Sequence, residues 1–125
     1  VIGCDVSETA LAIAQARDPH VVYARLPDAS IHSLVQFLFT SRQELGEIDV
    51  VVMSQVLSYI NEWKNLIDIV FAYSSGICIS LYLPENPIGF VKDWSEVCEV
   101  VAQHGTISAS LWDSANRTGY LLATR

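Results

Sequence analysis

A chain of 125 residues is the size of one domain and is long enough to bury most of the apolar surface of a single core. Its 51% hydrophobic content argues for elements covered on both sides, yet no apolar run approaches the roughly 18 residues of a membrane span and nothing reads as a signal peptide. A formal charge of −7 excludes a general nucleic-acid binder, because such a surface repels phosphate backbones; it leaves room for one nucleotide held by backbone groups.

The chain opens on "VIGC", a short β-rich apolar run, and Asp5 follows at once. Ser7 is a good N-cap and Glu8 suits the first turn of a helix, which Asp18-Pro19 stops. A second apolar run, "VVYARL", precedes a helix opening near Ser30, where Ile31, Leu34, Val35 and Leu38 make an i, i+3, i+4, i+7 stripe. The third run is "IDVVVMS"; the helix beyond it follows Asn61, carries Trp63, Leu66, Ile67 and Val70 on one face, and is expected to end at "SSG". After the fourth run, "GICISLYL", comes a long connection with Pro84, Pro87 and Phe90. It reads either as a loop covering a ligand at the strand ends or as a rigid link. Asp93 with Glu96 three residues on is an Asp variant of the capping box, and opens a helix with a Trp94, Val97, Cys98, Val101 stripe that Gly105 closes. All four stripes predict helices packed on a sheet.

The pattern then changes. "TISASLW" and "TGYLLATR" are joined by "DSANR", too short for a crossover helix, so they predict an antiparallel hairpin. The order β-α-β-α-β-α-β-α-β-β describes an α/β protein with a mostly parallel sheet and an antiparallel C-terminal strand. Cys4, Cys78 and Cys98 lie far apart without C-x-x-C spacing; they predict reduced, packed thiols in a cytoplasmic setting and no metal site.

In nucleotide-binding α/β folds an acidic residue at the carboxyl end of the second strand holds the ribose hydroxyls, and a glycine-rich turn lies roughly 20 residues earlier, after the first strand. A carboxylate only accepts hydrogen bonds, which suits a vicinal diol with two donors. Asp5 fits that role if "VIGC" is such a second strand; the competing reading is an ordinary residue of a strand-to-helix loop.

The stretch "GCDVSETALAIAQAR" resembles the second-strand motif of class I S-adenosylmethionine-dependent methyltransferases, a G-x-D-x-S followed by an Ala/Leu-rich helix ending in Arg. "IDVVVMSQVLSYINEW" is similar to the family's fourth-strand motif, and the terminal hairpin to its antiparallel sixth and seventh strands. The resemblance covers the chain from the family's second strand onward, and looks most like the small-molecule branch, including nodulation-type N-methyltransferases. It implies a three-layer, Rossmann-like sandwich over a single domain, residues 1–125, that is incomplete at its N-terminus. It also implies S-adenosylmethionine as cofactor, with Asp5 on the ribose diol, Val6 against the adenine, Asp28 on the adenine amino group, and Ser54 with Gln55 at the cofactor edge; the competing reading of Asp28 is a turn or helix-start residue. Tyr59 reads either as lining the acceptor pocket or as packing, with packing expected; His20, His32 and His104 are expected to be solvated, so no catalytic base is named.

The departure from the family is its first strand, G-x-G-x-G loop and first helix, which have no counterpart in the chain. That strand lies mid-sheet, so an N-terminal segment or a partner chain is needed to complete the sheet, and the chain alone is expected to be inactive. The implied function is methyl transfer to a small-molecule acceptor, with no general nucleic-acid binding and no membrane. Two alternatives stand beside it: a non-catalytic methyltransferase-like interaction domain, and half of a dinucleotide-binding oxidoreductase. The hairpin disfavours the second alternative, since the usual dinucleotide sheet is parallel throughout.

Overall fold

The computed structural model describes residues 1–125. Its elements alternate in the expected order: β1 (Ile2–Asp5), α1 (Glu8–Arg17), β2 (Val22–Arg25), α2 (Ile31–Leu45), β3 (Ile48–Ser54), α3 (Trp63–Tyr73), β4 (Ser74–Tyr82), α4 (Trp94–His104), β5 (Thr106–Asp113) and β6 (Thr118–Thr124). A short 3-10 turn, Leu57–Tyr59, stands between β3 and α3. The result is a Rossmann-like α/β fold.

Hydrogen-bonding side chains set the helix starts. Ser7 Oγ accepts from the Ala10 N–H at 3.1 Å and Ser30 Oγ from the Ser33 N–H at 3.2 Å, each satisfying a donor the helix cannot. At α4 Asp93 accepts from the Ser95 N–H, but the other half of the expected capping box is not made: Glu96 pairs with Lys64 across to α3. Gly105 ends α4 for a reason other than a left-handed turn. Its backbone is extended, and an added Cβ would come within 2.5 Å of the Thr124 carbonyl oxygen. "SSG" does not terminate α3 by a loop either; Ser74 already begins β4, its hydroxyl donating back to the Val70 carbonyl.

The strands form two sheets. β1 and β2 pair in parallel from Ile2↔Val22 to Asp5↔Arg25. The other four run in the order β3-β4-β6-β5, with β3 parallel to β4 and β6 antiparallel to both β4 and β5. The antiparallel hairpin expected from "DSANR" is therefore present. No strand joins β1 to β3, so each keeps one unpaired parallel edge.

The core lies on one face of the larger sheet. Ile77, Ile79, Leu81, Leu121 and Ala123 point into α3 and α4, meeting Leu66, Ile67, Val70, Val97 and Val101. The predicted stripes of α3 and α4 are thus the buried ones, apart from half-buried Cys98; of the α2 stripe only Leu38 is fully buried. The opposite face is open. Val52, Cys78 and Leu122 form one cross-strand row on it, and Ser54, Ser80, Tyr120 and Leu111 the next. Val52 is 69% exposed and Leu111 61%. The apolar composition that predicted cover on both faces is matched by cover on one, because α1 packs only on β1 and β2 and no helix of the chain lies over this row.

Candidate functional site

Open α/β sheets bind ligands beyond the carboxyl ends of their parallel strands, and Asp5, Val6, Asp28, Ser54 and Gln55 all lie at such ends or in the loops that follow them. Asp5 is the last residue of β1 and is exposed. Its Oδ1 accepts from the Ser7 N–H at 2.8 Å, which fixes the side chain over the start of α1, and Oδ2 has no partner in the protein. Asp5 thus serves the strand-to-helix loop through one oxygen and keeps the other free to accept. Val6 follows it, exposed. Beneath them, burial pushes the Cys4 thiol up to about 11, with the Asp5 charge adding to the effect, so this sulfur is an inert packed group.

The second strand delivers Asp28 to the same neighbourhood. The Leu26 N–H donates to the Asp5 carbonyl at 2.9 Å, so the β2–α2 loop leaves beside Asp5, while Arg25 turns away to Glu8 at 3.2 Å. Asp28 Oδ1 gathers the Ser30 N–H at 3.0 Å, the Ser33 hydroxyl at 2.7 Å and the Ser30 hydroxyl. These donors hold its carboxyl down at about 2, and Asp28 acts first as part of the α2 start. Its Oδ2 remains without a partner.

The folded carboxyl titrates below the ordinary Asp value of about 3.9, so this contribution to stability is complete above pH ~4 and is lost as pH falls towards 2. An NMR titration is expected to place the Asp28 midpoint near 2 and to raise it only part of the way towards the ordinary Asp value in Ser33→Ala, because both Ser30 bonds remain. Loss of the N-cap in Ser30→Ala should cost about 1 kcal/mol by chemical denaturation.

Ser54 and Gln55 close β3. Ser54 Oγ lies 3.1 Å from Ser80 Oγ, a hydroxyl pair on the open face. Gln55 has a left-handed backbone, φ 59°, uncommon for a residue with a side chain. Two bonds hold it there: its N–H donates to the Ser80 carbonyl at 2.8 Å, and its Oε1 accepts from the Tyr82 N–H at 2.7 Å. Gln55 therefore fastens the ends of β3 and β4 together, and its amide NH2 has no partner in the chain.

The carboxyl ends thus bring Asp5, Val6 and Asp28 together on one sheet and Ser54 and Gln55 on the other, with no strand pairing between the two groups. A cavity of about 590 Å³ between α4 and β5, lined by Trp94, Cys98 and Trp112 among others, includes none of them.

Tyr59 departs from its expected packing role: it is 75% exposed. His104 is not a free surface histidine, since its Nδ1 lies 3.2 Å from Asp68. Ser80 and the fastening role of Gln55 were not found from the sequence.

No family model and no curated protein matches this chain. Among solved structures it is similar to magnesium protoporphyrin IX methyltransferase (ChlM) from Synechocystis PCC 6803 with bound S-adenosylmethionine, with a TM-score of 0.66 and 18% identity over 100% of this chain. The chain spans 59% of the length of that structure. It is also similar to the N-terminal domain of EvdMO1 with S-adenosylhomocysteine bound, at TM-score 0.51 and 16% identity, covering 99% of this chain and 73% of that one. A third is the PH0226 protein of Pyrococcus horikoshii OT3, at TM-score 0.58 and 13% identity, covering 99% and 70%. At these identities the likeness shows the fold.

Proposed function

We propose that the chain is the larger part of an S-adenosylmethionine-dependent methyltransferase domain acting on a small-molecule acceptor. One further parallel strand, with its glycine-rich loop and helix, would enter between β1 and β3, from a preceding segment or from a partner chain. The observation that carries the reading is Asp5: a carboxylate at a strand's carboxyl end, oriented through one oxygen and unpartnered at the other. Two of the similar structures hold S-adenosylmethionine or S-adenosylhomocysteine, which supports it.

The residues fit the nucleoside half of such a ligand. Asp5, with one oxygen unpartnered, would accept from the ribose hydroxyls, the exposed Val6 would offer an aliphatic surface to the adenine, and the second Asp28 oxygen would accept from the adenine amino group. Ser54 and the Gln55 amide supply polar groups at the edge of β3. S-adenosylmethionine supplies a methyl group activated on a sulfonium. For such a transfer the residues mainly position: an in-line approach of the acceptor provides much of the rate, and a base is needed only when the acceptor must lose a proton.

The break between β1 and β3 supports the need for another strand. Two unpaired parallel edges leave rows of backbone donors and acceptors without sheet partners, and a single inserted strand would pair with both. Calorimetric titration of the full-length protein tests the reading. S-adenosylhomocysteine is expected to bind and NAD not to; binding of NAD alone would indicate an oxidoreductase, and binding of neither an interaction domain.

A further inference from the structure

We propose that the cavity between α4 and β5 binds an organic ammonium ion, a positive charge carried on apolar carbon. The site is separate from the candidate cofactor edge and does not depend on the methyl-transfer reading.

One side of a helix and one face of a strand build this cavity. Trp94 with Cys98 and Ser95 with Glu99 are i, i+4 pairs, so they make two adjacent rows at the start of α4. Ser110 and Trp112 are two apart on β5 and share a face. A bulge decides which face. Ile107 is opposite Ala123 and Ala109 opposite Leu122, so Ser108 is an extra residue, its hydroxyl donating to the Leu122 carbonyl at 3.1 Å. In unbroken register Ser110 and Trp112 would stand on the open face of the sheet. The bulge turns them to the helix side, opposite Leu121 and Gly119. Gly119 supplies the remaining room: a Cβ there would meet the Trp94 indole, so glycine lets that ring lie against the sheet where Trp112 pairs.

The cavity measures about 590 Å³, within the roughly 300–1,000 Å³ of small-molecule sites. Its lining has one sign of charge. Asp93 and Glu99 bring carboxylates and Trp94 and Trp112 bring indoles, while no Lys, Arg or His lines it. Asp93 Oδ1 accepts from the Ser95 N–H at 3.0 Å and so answers the α4 N-terminus; its Oδ2 has no partner in the chain. Glu99 makes no ion pair. Lys92, beside Asp93 in sequence, donates to the Pro87 carbonyl at 2.8 Å, and Lys64 pairs with Glu96. The Cys98 thiol in the cavity wall registers the result: burial pushes it up, and the charges of Asp93 and Glu99 push it further.

These groups select the occupant. Free carboxylates attract a cation, and the electron-rich face of an indole holds one. Trp112 already does so with the Arg117 guanidinium, 5.7 Å from its ring centroid and anchored by Nε donating to the Leu83 carbonyl at 2.8 Å. A metal ion is disfavoured, because no three His, Cys, Asp or Glu side chains converge to hold it. An anion would be repelled, and an uncharged ligand would leave both carboxylates uncompensated.

Calorimetric titration of the full-length protein at fixed ionic strength tests this, with choline as the probe. The control is 3,3-dimethyl-1-butanol, which has the same shape without the charge. Choline is expected to bind at least tenfold tighter than the alcohol. Asp93→Asn, which keeps a capping side chain, and Glu99→Gln should each weaken choline about two- to fivefold, and Trp112→Leu by a similar factor. Glu99 is exposed, so its change probes the site without disturbing the core. Glu44→Gln removes a charge on α2 and should leave choline binding unchanged. Equal binding of choline and the alcohol, binding of neither, or choline affinity unmoved by Glu99→Gln and Asp93→Asn would overturn the proposal. An equal loss in Glu44→Gln would also overturn it, by reducing the attraction to overall net charge.

Discussion

Replacing Asp5 with Ala in the full-length protein is expected to weaken S-adenosylhomocysteine binding about 10- to 100-fold. The estimate follows from hydrogen bonds to a charged group, worth about 1.5–3 kcal/mol, converted at about 1.4 kcal/mol per tenfold. Asp5→Asn should fall between the two, because the amide keeps one accepting oxygen but places donors where the ribose hydroxyls also donate. Neither change should unfold the protein: Asp5 is exposed, and within the chain its side chain accepts only the Ser7 N–H. Calorimetry gives the affinities and a thermal melt confirms the fold. Unchanged affinity in Asp5→Ala, with the fold intact, would remove Asp5 from the site.

Gly119→Ala is expected to cause the largest loss of stability of any single methyl added to the chain. Gly119 lies in β6 opposite Leu81 and Trp112, and a Cβ there would come within 2.2–2.4 Å of three carbons of the Trp94 indole. Overpacking a core costs about 1–3 kcal/mol and sometimes more. Here the upper end applies, because the atoms met belong to a rigid fused ring that is itself only 8% exposed. Trp94→Leu opens space at that point but loses buried ring surface, so it also destabilises alone. The two changes together should cost less than their sum, since each relieves what the other creates. Urea denaturation of the four proteins measures this, and strictly additive costs would show that the indole does not fill the space above Gly119.

The elements were legible because local chemistry and packing agree. Ser7, Ser30 and Asp93 cap the helices they were expected to cap, and the α3 stripe of Trp63, Leu66, Ile67 and Val70 is buried. The terminal hairpin followed from the length of one connection, "DSANR". What the sequence hid depends on contacts between distant segments. Glu96 leaves its capping role because Lys64 on α3 is within reach. Gly105 is required by the Thr124 carbonyl, not by its own dihedral angles. Tyr59 could not be told from a packed aromatic at a helix start until residues 88–90 were seen fastened to Ser58.

For the candidate site the sequence identified positions better than duties. Asp5, Asp28, Ser54 and Gln55 all come at carboxyl ends of strands or in the loops that follow them. Asp28 serves the α2 start, the competing reading its place in the sequence allowed, whereas Gln55 fastens β3 to β4, a contact between distant segments that spacing along the chain cannot reveal. The open row of Val52, Cys78 and Leu122 was likewise hidden, because an aliphatic strand reads the same whether one face is covered or two.

A crystal structure of the full-length protein with S-adenosylhomocysteine tests the central claim most directly. One parallel strand should pair with both Ile2–Asp5 and Ile48–Ser54, and the ribose hydroxyls should lie within hydrogen-bond distance of the Asp5 carboxylate. A nucleoside bound elsewhere, or β1 and β3 paired directly with no strand between them, would contradict it.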